Sequence, residues 1–227
     1  MHWRRLLKGS QLYRRGPWDR FYCEYMASRD TSQWESPERL TEHEVGRLIR
    51  FINQWATRSR FDAEKLRRAY VHMFPTLQDL RRVNLYEVRP WQPLAQHGTV
   101  SEAIKTVFET VATCGARYES TGASKILHTW LPDLCVMWDA AIAAGYGIYK
   151  GATQYRRKGA DYSERFLPRV SIQILEALDT YIADKGGTRV KAAAAISRLA
   201  GDRPLTKIVD EYNYAKYTLS LDELWSA

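Results

Sequence analysis

Five residues within one short segment, residues 120–147, have side chains or backbone properties that could do chemistry. They are Gly122, Ser124, Lys125, His128 and Asp139. A glycine with small neighbours in front of a helix leaves the first amides of that helix open, and these amides attract anions at the positive end of the helix dipole. Ser124 would add a hydroxyl group and Lys125 a positive charge. The segment therefore predicts a phosphate-binding turn at Gly122.

Asp139 directly precedes the helical pattern A-A-I-A-A, where a carboxylate can accept hydrogen bonds from the first amides of a helix. A carboxylate held in this way stays ionised and in one rotamer, which is also what catalysis requires. Asp139 is therefore either a helix cap alone or a cap that also takes part in a reaction. His128 is either a core histidine or a pocket residue, and Trp138 belongs either to the core or to a pocket wall.

Helical periodicity surrounds this segment on both sides. Thr41 with Glu44 and Thr99 with Glu102 show the capping-box pattern, and an apolar stripe follows each pair. We expect Pro75 to end one helix and a short helix to follow it. No segment alternates in the way of a β-strand. The sequence therefore predicts an all-α fold with about eight to ten helices.

The length of 227 residues allows a sizeable core, and we expect one globular unit over residues 1–227. Residues 1–16 are rich in Lys and Arg and are predicted to form a basic arm, irregular or weakly helical. Residues 100–147 are predicted to be the hairpin and the catalytic core segment. The C-terminal residues Asp210, Glu211 and Asn213 either make structural contacts or reach a cleft.

The net charge of +8 and the pI near 9.4 favour a polyanionic partner. The basic residues are clustered, and one cluster lies in the glycine-punctuated, aromatic segment 148–160. Its members Arg156, Arg157 and Lys158 are candidate contacts to DNA phosphates. The alternative is that this segment is an ordinary solvated loop.

Several classes of protein are disfavoured by composition. The three cysteines Cys23, Cys114 and Cys135 cannot all pair and lack metal-ligand spacing, so we expect reduced thiols and neither a metal nor a cofactor. No run of about 18 apolar residues suggests a membrane span, and the first residues do not resemble a secretion signal. These features predict a cytoplasmic protein that is a monomer.

At T-G-A-S-K-I-L-H and V-M-W-D-A-A-I the chain resembles the core of the helix-hairpin-helix DNA glycosylase superfamily, as a divergent member. The resemblance covers about 30 residues closely. It implies a two-lobed helical bundle with a helix-hairpin-helix and a central cleft that receives a flipped base. By position, Gly122 matches the hairpin turn, Lys125 the nucleophilic lysine of bifunctional members, and Asp139 their aspartate.

This resemblance implies excision of a damaged or modified base from double-stranded DNA. Asp139 would stabilise the positively charged sugar, and His128, Trp138 and Asn213 are pocket candidates. Lys125 would be either a nucleophile that forms a Schiff base or a phosphate contact. The chain is also similar in size and type to bacterial anti-phage glycosylases that excise modified phage bases.

Two other functions compete with base excision. One is a non-catalytic all-α DNA-binding protein that uses the hairpin for phosphates only. The other is a regulatory protein whose basic surface meets an acidic partner.

Overall fold

The computed structural model describes residues 1–54, 58–87, 92–94, 97–148 and 159–221. Within these ranges the chain is helical and forms no strand, which confirms the predicted all-α class. Two isolated bridges, Phe61 to Gly115 and Pro93 to Thr99, are the only β-type pairings in these residues. Among the helices so described, none combines the length and the apolar character needed to cross a membrane.

Eleven α-helices are found in the described residues. They are α1 (Trp3–Tyr13), α2 (Trp18–Ser28), α3 (Thr31–Glu35), α4 (Glu42–Gln54), α5 (Ala63–Leu80), α6 (Val100–Ala112), α7 (Ser120–Trp130), α8 (Ala140–Gly145), α9 (Leu167–Lys185), α10 (Arg189–Leu199) and α11 (Leu205–Asn213). A 3₁₀ turn spans Pro37–Arg39, and π-helical turns span Asp161–Phe166 and Tyr214–Thr218.

Residues 1–16 were expected to form a basic arm that is irregular or weakly helical, but the regular helix α1 covers most of them. This helix packs along α11, and its Leu6 and Leu12 are buried. Gly9 permits the close approach, since a Cβ atom there would lie 2.5 Å from the ring of Tyr212. The apolar residues of this segment are interleaved with arginines, and their burial against α11 is what fixes the helix.

The predicted end of a helix at Pro75 is also wrong, because α5 continues through this proline. Proline lacks the N–H that would bond to the carbonyl of Val71, four residues earlier. Val71 itself is 38% exposed. Beyond the proline, Leu77 and Leu80 are fully buried. Their burial favours continuing the helix more strongly than the missing hydrogen bond opposes it.

The capping box predicted at the start of α6 is confirmed. Thr99 Oγ1 accepts a hydrogen bond from the Glu102 amide at 3.2 Å, and the Glu102 carboxylate accepts one from the Thr99 amide at 2.8 Å. α6 then packs against α7, and both helices bury most of their residues. Lys125 is a residue of α7, so the packing of these two helices fixes its position.

The prediction that Gly122 forms a turn in front of the helix is wrong. α7 already begins at Ser120, so Gly122 lies within its first turn. A Cβ atom at Gly122 would lie 2.6 Å from both the Phe61 ring and the Ser59 hydroxyl. The glycine is needed because the segment around Phe61 crosses the start of α7 at close range.

The end of α11 continues as the π-helical turn Tyr214–Thr218, which packs against α8. A π-helical turn holds one more residue than an α-helical turn and often occurs at functional sites. Here the turn places Tyr214 and Thr218 beside the start of α8. Thr218 donates a hydrogen bond to Asp139, and Tyr214 lines a pocket beside it.

Candidate active site

Lys125 and Asp139 line the same small pocket, whose volume is about 30 Å³. Among its described lining residues, a second carboxylate comes from Asp210, on α11. Four aromatic side chains contribute to its walls. The described residues that line the pocket are Tyr13, Trp18, Lys125, Met137, Trp138, Asp139, Ile142, Asp210 and Tyr214. Five helices therefore converge on one cluster of charged and aromatic groups.

Lys125 is only 9% exposed, which is unusual for a lysine. Burial lowers the pKa of its amine to about 8, although the neighbouring carboxylates Asp210 and Asp139 act in the opposite direction. The positive charge of Lys207 adds to the lowering. A large fraction of the Lys125 amine is therefore neutral near pH 8, and a neutral amine is nucleophilic.

Asp139 is the N-cap of α8, as its position in the sequence predicts. Its Oδ1 accepts a hydrogen bond from the Ile142 amide at 2.8 Å. Its Oδ2 accepts a second one from the Thr218 hydroxyl at 2.7 Å. Both oxygens are therefore fixed, and the carboxylate is held at the pocket wall in one orientation.

Behind the pocket, α11 carries a buried group of charges that pattern analysis did not assign. The amine of Lys207 is completely buried and lies 2.9 Å from Asp210 Oδ2 and 3.6 Å from Glu211 Oε1. It also lies over the rings of Tyr13 and Tyr22, at 4.5 and 4.8 Å from their centroids. Burial alone would lower the pKa of Lys207, but the two carboxylates and these rings raise it, so the amine stays charged.

Asp210 and Glu211 have different roles. Asp210 reaches the pocket, and burial raises its pKa while Lys207 opposes this change. Glu211 is fully buried and accepts hydrogen bonds from Ser10 and from Arg203. Arg203 also donates to Asp19 Oδ2 at 3.0 Å. Glu211 thus ties α11 to α1 and α2, whereas Asp210 is part of the candidate active site.

No protein-family model, curated protein or solved structure matches this chain. Its function must be inferred from the chemistry of the pocket.

Ser124 is fully buried, and its hydroxyl group makes hydrogen bonds to backbone groups of the protein. Its Oγ donates to the Thr121 carbonyl at 2.9 Å and accepts from the Trp138 amide at 3.1 Å. This link fixes the segment that leads to Asp139 against α7. Ser124 and the buried Gly122 are therefore not placed to contact a DNA phosphate, because other residues cover the start of α7.

Trp138 lies in the pocket wall and also in the core, so the two alternatives predicted for it are both realised. It is 1% exposed, and its ring packs edge-on against Phe108 and Tyr162, with centroids 6.0 and 5.2 Å apart. The residue that precedes Asp139 therefore anchors the pocket to the core.

His128 is a core histidine and does not line the pocket. Its Nδ1 lies 2.7 Å from the Cys135 carbonyl, to which it donates, and its Nε2 lies 3.3 Å from the Tyr22 hydroxyl. Burial lowers the pKa of His128 to about 3, so the ring is neutral. It supports the position of α7 and is not placed to exchange protons with a substrate.

Asn213 is also absent from the pocket wall. It is fully buried, and its Oδ1 accepts a hydrogen bond from the Tyr146 hydroxyl at 3.1 Å. Its Nδ2 has no partner among the described residues.

The candidate phosphate contacts Arg156, Arg157 and Lys158 lie outside the described residues.

Within the described ranges, no three His, Cys, Asp or Glu side chains are grouped so that they could hold a metal ion. Sequence reasoning missed Lys207, whereas it left Asp210 open between a structural contact and a cleft residue, and the structure places Asp210 in the pocket wall. Their spacing of three residues is the one signal in the sequence that relates them, because residues three apart on a helix face each other. That signal does not distinguish a buried pair from a surface pair.

Proposed function

We propose that this protein is a DNA N-glycosylase that excises a modified or damaged base. The observation that carries the proposal is the Lys125 amine, which is buried, has a lowered pKa and shares an aromatic-walled pocket with a fixed carboxylate. A lysine with a lowered pKa is a recognised nucleophile, and perturbed pKa values are concentrated at functional sites. The resemblance of this same segment to helix-hairpin-helix glycosylases supports the choice of reaction.

In the proposed reaction, Asp139 faces the sugar of the flipped nucleotide. The C1′–N bond breaks, its electron pair leaves with the base, and positive charge develops on C1′ and the ring oxygen. The Asp139 carboxylate stabilises this charge, since both of its oxygens are already oriented by Ile142 and Thr218. The base takes up a proton to become neutral.

The neutral Lys125 amine then bonds to C1′ and loses a proton. Opening of the sugar ring, with a proton passing to the ring oxygen, gives a Schiff base. Loss of a proton from C2′ then breaks the C3′–O bond, and the departure of the 3′ phosphate nicks the strand. Asp210 lies in the same pocket and interacts electrostatically with Lys125. It is therefore placed to influence the proton balance of the amine.

A base is much larger than the pocket, whose 30 Å³ corresponds to about one water molecule. Entry of a base therefore requires the rim to open. Trp18 and Tyr214 are partly buried and contact each other with ring centroids 5.5 Å apart. In the proposal these rings separate and stack on the extruded base, which offsets the loss of stacking in the duplex.

The proposed partner is double-stranded DNA, bound by a monomer in the cytoplasm. The net charge of +8 supports attraction to phosphates. Two substrate classes fit the same chemistry, namely damaged bases in repair and modified bases of phage DNA. The chemistry of the pocket is common to both.

Base release is the direct test of this function. The protein is incubated with duplexes that carry oxidised, deaminated or glucosylated bases and with phage DNA that contains modified cytosine. We expect abasic sites on at least one substrate. Binding with a steep salt dependence but without any abasic site would favour the non-catalytic DNA-binding protein instead. Binding without salt dependence would contradict both functions.

We expect Lys125→Met to abolish the covalent adduct that borohydride traps between the protein and a cleaved duplex. Methionine fills a similar volume but has no amine, so no Schiff base can form. The adduct is measured as a shifted band on a denaturing gel. Lys105→Met is the matched control, because Lys105 is an exposed lysine of α6. An adduct that survives in Lys125→Met would exclude Lys125 as the nucleophile.

The pH dependence of adduct formation gives a separate prediction. The reactive form is the neutral amine, and the pKa of Lys125 is lowered to about 8 by burial. The single-turnover rate should therefore rise as the pH increases towards about 8 and become constant above it. An ordinary exposed lysine, with a pKa near 10.4, would give a rate that still rises tenfold per pH unit between pH 8 and 10. Such a continued rise would contradict the assignment.

A further inference from the structure

The two carboxylates in the wall of the Lys125 pocket each have a partner other than the Lys125 amine. Asp210 Oδ2 lies 2.9 Å from the amine of Lys207. The Asp139 carboxylate accepts hydrogen bonds from a backbone amide at 2.8 Å and from a hydroxyl group at 2.7 Å. Buried polar groups need such partners. Loss of a proton from Lys125 therefore leaves neither of these two carboxylates without one.

Lys207 lies behind the wall of this pocket. Its side chain is fully buried, and it is not among the described residues that line the pocket. The ring of Tyr13 does line the pocket, and the centroid of this ring lies 4.5 Å from the Lys207 amine. The amine also lies 3.6 Å from Glu211, which has Arg203 as a second counter-ion. A buried positive charge is therefore in contact with the pocket wall.

A second positive charge close to a buried lysine favours the neutral form of that lysine, because repulsion between like charges is weakly screened in the interior. Burial is the largest cause of the lowered pKa of Lys125, and the charge of Lys207 adds to it, whereas the two carboxylates oppose it. Two tyrosines are the other ionisable groups among the described lining residues. Burial raises the pKa of both Tyr13 and Tyr214, so they carry no charge.

We propose that Lys207 is a positioning residue for the Lys125 amine. It occupies the Asp210 carboxylate and places a positive charge behind the pocket, and both effects favour the neutral, nucleophilic form of Lys125. The use of this effect in catalysis rests on the proposed function, whereas the effect on protonation does not. A Lys207 with a structural role alone would stabilise the fold and leave the titration of Lys125 unchanged.

Direct titration of the Lys125 amine tests this proposal without any substrate. NMR of the full chain with isotope-labelled lysine side chains follows the titration, and the Lys125 signal is the one that Lys125→Met lacks. In Lys207→Met the midpoint should move to higher pH, because Lys125 is the other amine that interacts with Asp210. The neutral fraction of Lys125 at pH 7 should fall about tenfold. An unchanged midpoint would overturn the proposal.

Asp210→Asn should have the opposite effect on the midpoint. It removes a carboxylate that favours the protonated amine, so the midpoint of Lys125 should move to lower pH. The double variant, with Lys207→Met added, keeps the test valid if Lys207→Met alone fails to fold. Its midpoint should lie above that of Asp210→Asn, since the repulsion from Lys207 is absent. Equal midpoints in these two variants, or an upward shift in Asp210→Asn, would contradict the assigned role.

Ile208→Ala is the matched control for a loss of stability. Ile208 follows Lys207 on α11 and is fully buried, so the substitution leaves a cavity and destabilises the fold without changing any charge. We expect Lys125 to titrate in this control with the midpoint of the wild type. A shift as large as that in Lys207→Met would assign the effect to loosened packing and sink the proposal.

The same variants separate this inference from the proposed function. If an adduct forms on DNA, the pH at which its single-turnover rate becomes constant should move with the NMR midpoint in each variant. If no adduct forms on any substrate, the proposed function fails, and the titration still decides whether Lys207 acts on Lys125. A shifted midpoint in Lys207→Met with an unchanged pH profile of adduct formation would overturn the catalytic use of the effect.

Discussion

The Asp139→Asn variant should release its target base at least about a hundredfold more slowly than the wild type, with little change in melting temperature. The loss follows from removal of the negative charge that stabilises the developing cation, a contribution typically of 10²–10³ in rate. Stability is retained because asparagine caps a helix about as well as aspartate does. Its side-chain oxygen can accept from the Ile142 amide, as Asp139 Oδ1 does at 2.8 Å.

The matched control for this variant is Asp62→Asn. Asp62 is the N-cap of α5 and accepts from the Lys65 amide at 2.9 Å, so the substitution makes the same chemical change at another capping aspartate. We expect this control to release the base at the wild-type rate. Rapid single-turnover base release, measured with the active duplex, compares the two variants. If both are as active as the wild type, Asp139 is only a helix cap.

Replacement of Lys207 by methionine should lower the free energy of unfolding by about 3–5 kcal/mol, the typical effect of removing one partner of a buried ion pair. Lys207 is completely buried between Asp210 and Glu211. Without the amine, Asp210 loses the counter-ion with which it forms its buried ion pair. Glu211 retains Arg203 as a counter-ion. Denaturant unfolding monitored by tryptophan fluorescence measures the change.

The same experiment has a defined pH dependence. Burial raises the pKa of Asp210, and loss of Lys207, which lowers it, raises it further. A carboxyl group with a raised pKa in the folded state binds protons that the unfolded state releases, so stability falls as the pH rises. The defect in Lys207→Met should therefore be larger at pH 8 than at pH 5. Adding Asp210→Asn should recover part of the loss, because the unpaired charge is removed.

Exposed Lys191 on α10 gives the control for this stability experiment, and Lys191→Met should change unfolding by less than about 0.5 kcal/mol. A loss below about 1 kcal/mol in Lys207→Met, at both pH values, would show that water or a rearranged side chain compensates the carboxylates. The buried charge group would then not be a stabilising element.

Local features of the fold follow directly from the sequence. The capping box of Thr99 and Glu102 involves residues three positions apart, so its pattern already contains the geometry that the structure shows. Pro75 failed as a helix end because its cost depends on what the following residues bury. Leu77 and Leu80 enter the core, and that information is tertiary.

The candidate active site likewise has one part that the sequence predicts and another that depends on the packing of distant helices. The capping role of Asp139 is local and could be predicted. The burial of Lys125 and its proximity to Asp210 arise because α7 and α11 meet, although they are separated by most of the second half of the chain. Helical periodicity cannot show which polar residues of two distant helices will share a pocket. A lysine–aspartate pair three residues apart, such as Lys207 with Asp210, is usually exposed, and only the packing shows otherwise.

The orientation of Asp139 depends on how many residues the π-helical turn Tyr214–Thr218 contains, as well as on which residues they are. Each residue of an α-helix advances the side-chain direction by about 100°. Loss of one residue from this turn would convert it to regular α-helix and rotate whatever follows by that amount. The Thr218 hydroxyl, now 2.7 Å from Asp139 Oδ2, would point elsewhere. The pocket is therefore more sensitive to a single deletion between Asn213 and Thr218 than to many substitutions there.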